Sequence, residues 1–126
     1  MDKLAKKISD SELMVMQVLW EAKEALPLTE IRTRINRQND WENSTIKTLL
    51  HRLHSKGAVA QEKREVFYYT PLISKEEFSQ YSTKELINKL YAGNAKKMVA
   101  SLLSSHQLGK DDIEELREMF KVEDND

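Results

Sequence analysis

The chain of 126 residues contains no cysteine. Disulfide frameworks, thiolate metal sites and catalytic thiols are thereby excluded. Glycine and proline are also scarce, at three and two residues, which leaves too little material for a glycine-rich phosphate loop. Neither a nucleophile elbow nor a paired-carboxylate motif is present, so the sequence predicts no enzyme, no catalytic residue and no cofactor. No apolar run approaches the roughly 20 residues of a membrane span, and residues 1–7 lack the apolar segment of a signal peptide. The expectation is a cytoplasmic chain with no membrane partner.

What is present suffices for a folded domain. The composition is 40% hydrophobic and 33% charged, enough apolar material to bury a core and too much for a disordered chain. The net charge of -1 hides an uneven distribution. Between Arg32 and Arg64 eight basic residues face three acidic ones, net +5, whereas residues 73–126 are net -3. A local excess of positive charge is the footprint of a polyanion-binding face.

That excess surrounds residues 43–56, the stretch around which the chain is organised. Ile46, Leu49, Leu50 and Leu53 recur at i, i+3, i+4 and i+7, the buried stripe of an amphipathic helix. The other face carries Ser44, Thr45, Lys47, Thr48, His51 and Arg52. Gly57 follows where a helix end favours the left-handed region, and Asn43 is the expected cap at the start.

Upstream, Ser9 and Glu12 have the spacing of a capping box and open a first helix to about residue 22, with Leu13, Met16 and Trp20 inward and Val15 and Leu19 beside them. Pro27 breaks the pattern, and Thr29 is the expected cap of a short second helix over 30–38. Downstream, residues 58–61 and 66–71 flank the charged turn Glu62-Lys63-Arg64-Glu65 and read as a hairpin ended by Pro71. Three helices and a hairpin make a winged helix-turn-helix. The fold class is mainly α with a small β-hairpin wing, divided into a DNA-binding domain over 1–72 and a helical dimerisation domain over 73–126. The latter holds three amphipathic helices whose stripes include Phe78, Leu86, Leu90, Met98, Leu102, Ile113, Leu116 and Phe120. Some fifty residues cannot bury that much apolar face alone, and the simplest partner is a second copy.

The physical case for double-stranded DNA is that a helix fits the major groove, where its side chains meet base edges while flanking cations meet phosphates. Ser44, Thr45, Lys47 and Thr48 are the expected base contacts. Arg32, His51, Arg52, Lys56, Lys63 and Arg64 are the expected backbone contacts. His51 and His54 have a metal-compatible spacing, but no third ligand is near, His106 stands alone, and no metal is expected. Of Phe67, Tyr68 and Tyr69, strand alternation sends at least one ring inward. The competing reading is a winged helix used as a protein-interaction module, which salt would distinguish from DNA binding.

Residues 8–16 with Trp20, the stretch Asp40-Trp41 followed by Thr45–Leu53 and Lys56-Gly57, the Phe67-Tyr68-Tyr69 strand, residues 88–93 and residues 112–116 together resemble the penicillinase-repressor family of BlaI and MecI type. The resemblance covers nearly the whole chain. It implies a homodimeric repressor on a palindromic operator controlling β-lactam resistance or a related stress response. It also implies a membrane sensor protease that relieves repression by cutting the dimerisation region. A copper-responsive branch of the family carries Cys-x-Cys motifs, which this chain lacks. Two departures stand out. Where the family commonly has Ser-Pro-Lys-Thr, this chain has Glu42, Asn43, Ser44 and Thr45, and the family's Asn-Phe cleavage bond falls at Ser101-Leu102.

Overall fold

A computed structural model describes residues 8–121. In chain order the elements are α1 (Asp10–Ala22), β1 (Leu26–Pro27), α2 (Leu28–Ile35), α3 (Asn43–Ser55), β2 (Val59–Lys63), β3 (Phe67–Pro71), α4 (Lys75–Tyr91), α5 (Ala95–Ser104) and α6 (Lys110–Met119). They fall into two compact units, with the break between Ser82 and Thr83, inside α4.

In the first unit α1, α2 and α3 pack on one another and on a three-stranded antiparallel sheet of order β1-β3-β2. The core is one cluster, in which Val15, Met16 and Leu19 of α1 meet Ile31 and Ile35 of α2 and the Ile46, Leu49, Leu50 and Leu53 stripe of α3. Val59 and Tyr69 close it from the sheet. Removing one such aliphatic side chain costs about 2–5 kcal/mol because the cavity relaxes only in part. The stripe of α3 is the expected one, whereas in α1 Val15, Met16 and Leu19 form the buried face and the expected Leu13 and Trp20 are half-buried at its edge.

The capping box of α1 forms as anticipated, with the Ser9 hydroxyl accepting from the Glu12 N–H and the Glu12 carboxylate accepting from the Ser9 N–H. The α3 terminus is a Schellman motif. Ala58 N–H donates to Leu53 O at 2.9 Å, Gly57 N–H donates to His54 O at 3.0 Å, and Gly57 sits at φ +77°. The chain is thereby turned sharply into β2. Val59 pairs with Pro71, Gln61 with Tyr69 and Lys63 with Phe67, so the hairpin forms as the sequence predicts, but Glu62 and Lys63, expected in the turn, extend β2 and the tip narrows to residues 64–66.

Three local details differ from expectation. Leu26 and Pro27 form a short edge strand on Tyr69 and Tyr68, a position where proline's missing donor is harmless. Helix α2 accordingly starts at Leu28, capped by Pro27 without a side-chain hydrogen bond, and ends at Ile35, where Asn36 is drawn into a turn. The cap of α3 is Glu42, not Asn43, and its side chain makes no capping bond.

The first unit also runs further than residue 72. Ile73 is buried, its carbonyl accepts from Trp20 Nε1 at 2.9 Å, and the Phe78 ring lies 5.7 Å from that of Trp20. The opening of α4 is thus pinned to α1. In the second unit, the remainder of α4 with α5 and α6, no described residue is fully buried. Leu90 is 62% exposed and Met119 71%, and Leu86, Val99, Leu103, Leu116 and Phe120 are exposed as well.

Candidate nucleic-acid interface

Helix α3 is anchored by its apolar stripe and presents the rest of its circumference. Ser44, Thr45, Lys47, Thr48, His51 and Arg52 are all exposed. At 3.6 residues per turn, Ser44, Thr48 and His51 stand opposite the buried stripe. Thr45, Arg52 and Lys56 lie within about 40° of one another on the flank toward α1, and Lys47 and His54 occupy the other flank. The Thr48 hydroxyl donates to Ser44 O at 2.9 Å, which spends its proton and leaves its methyl group outward.

The placement of α3 is set by polar contacts that local sequence patterns do not reveal. Asn36 holds Trp41 by both backbone groups, Nδ2 donating to Trp41 O at 2.9 Å and Oδ1 accepting from Trp41 N–H at 2.8 Å. Arg32 Nε donates to the same carbonyl at 2.8 Å. Asn39 Nδ2 donates to Ile35 O at 3.0 Å. The turn before α3 is therefore clamped from α2, and Arg32, expected at a phosphate, is part of the clamp. Asn36 carried no motif that marked it.

At the far end of α3, Lys56 Nζ donates to Glu12 Oε1 at 2.5 Å. Glu12 is 1% exposed and is the one buried charged residue among the described residues. Burial works to raise its pKa. The hydrogen bond and charge of Lys56, with the bonds from Ser9, outweigh it and hold the carboxyl below the usual carboxylate range. Lys56, expected at a phosphate, therefore ties α3 to α1, across a sequence separation no local pattern spans.

The wing is built from stacked cations. Lys63 Nζ lies 4.8 Å from the centroid of the Phe67 ring, and the Arg64 guanidinium carbon 4.2 Å from that of Tyr68. Arg64 Nε also donates to Glu62 Oε1 at 2.5 Å, a bond that raises its already high pKa. Tyr69 is the ring sent inward. Alternation along β3 puts Tyr68 on the face opposite Tyr69, while Phe67, at the strand's first position beside the turn, lies under Lys63.

A helix offering hydroxyls and cations, clamped at both ends and followed by a cationic hairpin, is a winged helix. Residues 8–122 match the family described as penicillinase repressor. The chain belongs to that family. Over 121 residues it is 34% identical to the methicillin resistance regulatory protein MecI of Staphylococcus aureus (strain N315), across 95% of this chain and 98% of that one. It is 32% identical over 120 residues to the penicillinase repressor of Bacillus licheniformis, across 94% and 93%. The solution structure of the DNA-binding domain of the repressor BlaI superposes with a TM-score of 0.50 at 38% identity, covering 56% of this chain and 87% of that one. Membership in a repressor family agrees with the winged-helix expectation, and among the described residues no helix is long and apolar enough to cross a membrane.

Proposed function

We propose that this protein is a cytoplasmic, homodimeric transcriptional repressor of β-lactam resistance genes. It places α3 of each copy in successive major grooves of a palindromic operator and blocks transcription by occupancy. The observation that carries the reading is the exposed hydroxyl and cation face of α3, held by clamps at both ends, in a chain that matches the penicillinase repressor family over residues 8–122. Ser44, Thr45, Lys47 and Thr48 meet base edges, with Lys47 donating to guanine and the Thr48 methyl packing on thymine. Arg52, His51, Lys63 and Arg64 meet phosphates.

The dimer contact lies in the second unit. Its exposed Leu86, Leu90, Leu116 and Phe120 are supported by the half-buried Met98, Leu102 and Ile113. Roughly forty residues with no buried side chain need a partner surface to be stable. Two linked half-site contacts multiply effective affinity, so a cut near Ser101-Leu102 by a sensor protease releases the operator by undoing the dimer. Sedimentation of the Leu90→Asp variant beside wild type tests this. The expected result is a monomer with operator affinity lowered by at least a hundredfold and an unchanged first unit. A variant that stays dimeric and bound places the interface elsewhere.

A further inference from the structure

Between the start of α1 and the near flank of α3 lies an open cleft of about 560 Å³ lined by Ser9, Ser11, Ser44, Thr45, Thr48 and Arg52, with Leu49 at its base. Its chemistry is one-sided. No side chain lining it is acidic, and Asp10, between the two serines, is not part of the wall. Among the described residues, the Arg52 guanidinium and the Ser11 and Thr45 hydroxyls have no hydrogen-bond or ion-pair partner within the chain. The Ser9 hydroxyl accepts from Glu12 N–H at 3.2 Å, which leaves its own proton to donate. The buried carboxylate of Glu12, one residue beyond Ser11, is already compensated by Lys56.

We infer that this cleft seats one phosphodiester of the DNA backbone per half-site, gripped by the Arg52 guanidinium of α3 and by the Ser9 and Ser11 hydroxyls of α1. This rests on the reading of α3 as the groove-facing helix and adds α1 to the interface, with Ser11 and Ser9 as phosphate donors. A phosphate oxygen accepts several hydrogen bonds at once, and a guanidinium with two or three hydroxyl donors is a set that suits it. Thr48, whose proton is spent on Ser44 O, belongs to the wall without donating. Contacts of this kind carry no sequence information. They fix how far α3 sinks and at what angle it lies, which decides which bases its outward residues reach.

The test uses the full-length chain and a duplex selected by it from random-sequence DNA. That duplex is prepared as a series, each member carrying one uncharged methylphosphonate linkage. Wild type should show one linkage per half-site whose neutralisation weakens binding about tenfold, the range of a lost charge-assisted contact. Arg52→Gln should bind the unmodified duplex about tenfold more weakly and lose no more at that linkage. Ser11→Asp, a substitution favourable at the second position of a helix, should keep the fold and lose affinity by repelling the phosphate, while Lys63→Ala should remain fully sensitive there. The inference is overturned if Ser11→Asp binds as wild type, or if Arg52→Gln keeps the sensitivity of wild type at every linkage. Failure of the chain to select any duplex overturns the proposed function and this inference together, whereas selection without a cleft-dependent linkage removes only the inference.

Discussion

Glu12 is a carboxylate kept in the core by two neighbours, and its energetics follow from that. Replacing Lys56 by Met leaves a buried charge uncompensated, and we expect a loss of about 3–5 kcal/mol, read as a drop in the denaturant midpoint. The pH dependence has a definite sign. Because the folded pKa lies below the ordinary 4.5, the unfolded state binds the proton more readily. The stabilisation is therefore complete above about 4.5 and is lost as pH falls through the depressed value. Glu12→Gln should flatten that acid limb, which melting temperatures between pH 3 and 6 would reveal; an unchanged slope would mean the pair contributes nothing. Asn36 has a comparable role for the turn before α3. Asn36→Ala orphans the Trp41 N–H and leaves the Trp41 carbonyl to Arg32 alone, with an expected cost of about 2 kcal/mol and faster amide exchange in the first turn of α3.

Helices and hairpins were legible wherever their signals are local. The capping box lies within four residues, the α3 stripe within two turns, and Gly57 marks the helix end by itself. The i,i+3 pairs of Glu114 with Arg117 and Glu118 with Lys121, both at 3.8 Å, were legible for the same reason. What escaped depends on residues far apart in the chain. Strand β1 exists only because Tyr68 and Tyr69 supply its partner, Lys56 is diverted by Glu12, and Phe78 is held by Trp20. Residues such as His106, at φ +63°, show the limit from another direction. Its N–H donates to Leu103 O at 3.2 Å and the next N–H to Leu102 O at 2.9 Å, a Schellman turn that glycine fills more cheaply. His106→Gly should therefore raise stability by about 0.5–1 kcal/mol, measurable as an increase in Tm. For the wing, Lys63→Ala should weaken DNA binding evenly across sequences and lower the salt slope by about one. Lys47→Ala should instead change sequence preference.

At the scale of the whole molecule, the two units differ in what they bury. The first has a closed core and an outward face of donors, while the second exposes a row of apolar side chains that it cannot cover itself. The net +5 between Arg32 and Arg64 and the net -3 after residue 72 follow the same division, as the proposed assignment of DNA recognition to the first unit and association to the second requires. Salt should therefore act on the two functions differently. Added salt weakens phosphate contacts steeply and leaves an apolar dimer contact intact or strengthened.

The most direct test of the central claim is an anisotropy titration against the DNA immediately upstream of the protein's own gene. It is run at two salt concentrations with random duplex as competitor. The account predicts tight binding that survives competitor and falls steeply between the two salts. Binding that competitor abolishes, or that salt leaves unchanged, would contradict sequence-specific recognition by α3 and favour a surface for protein partners.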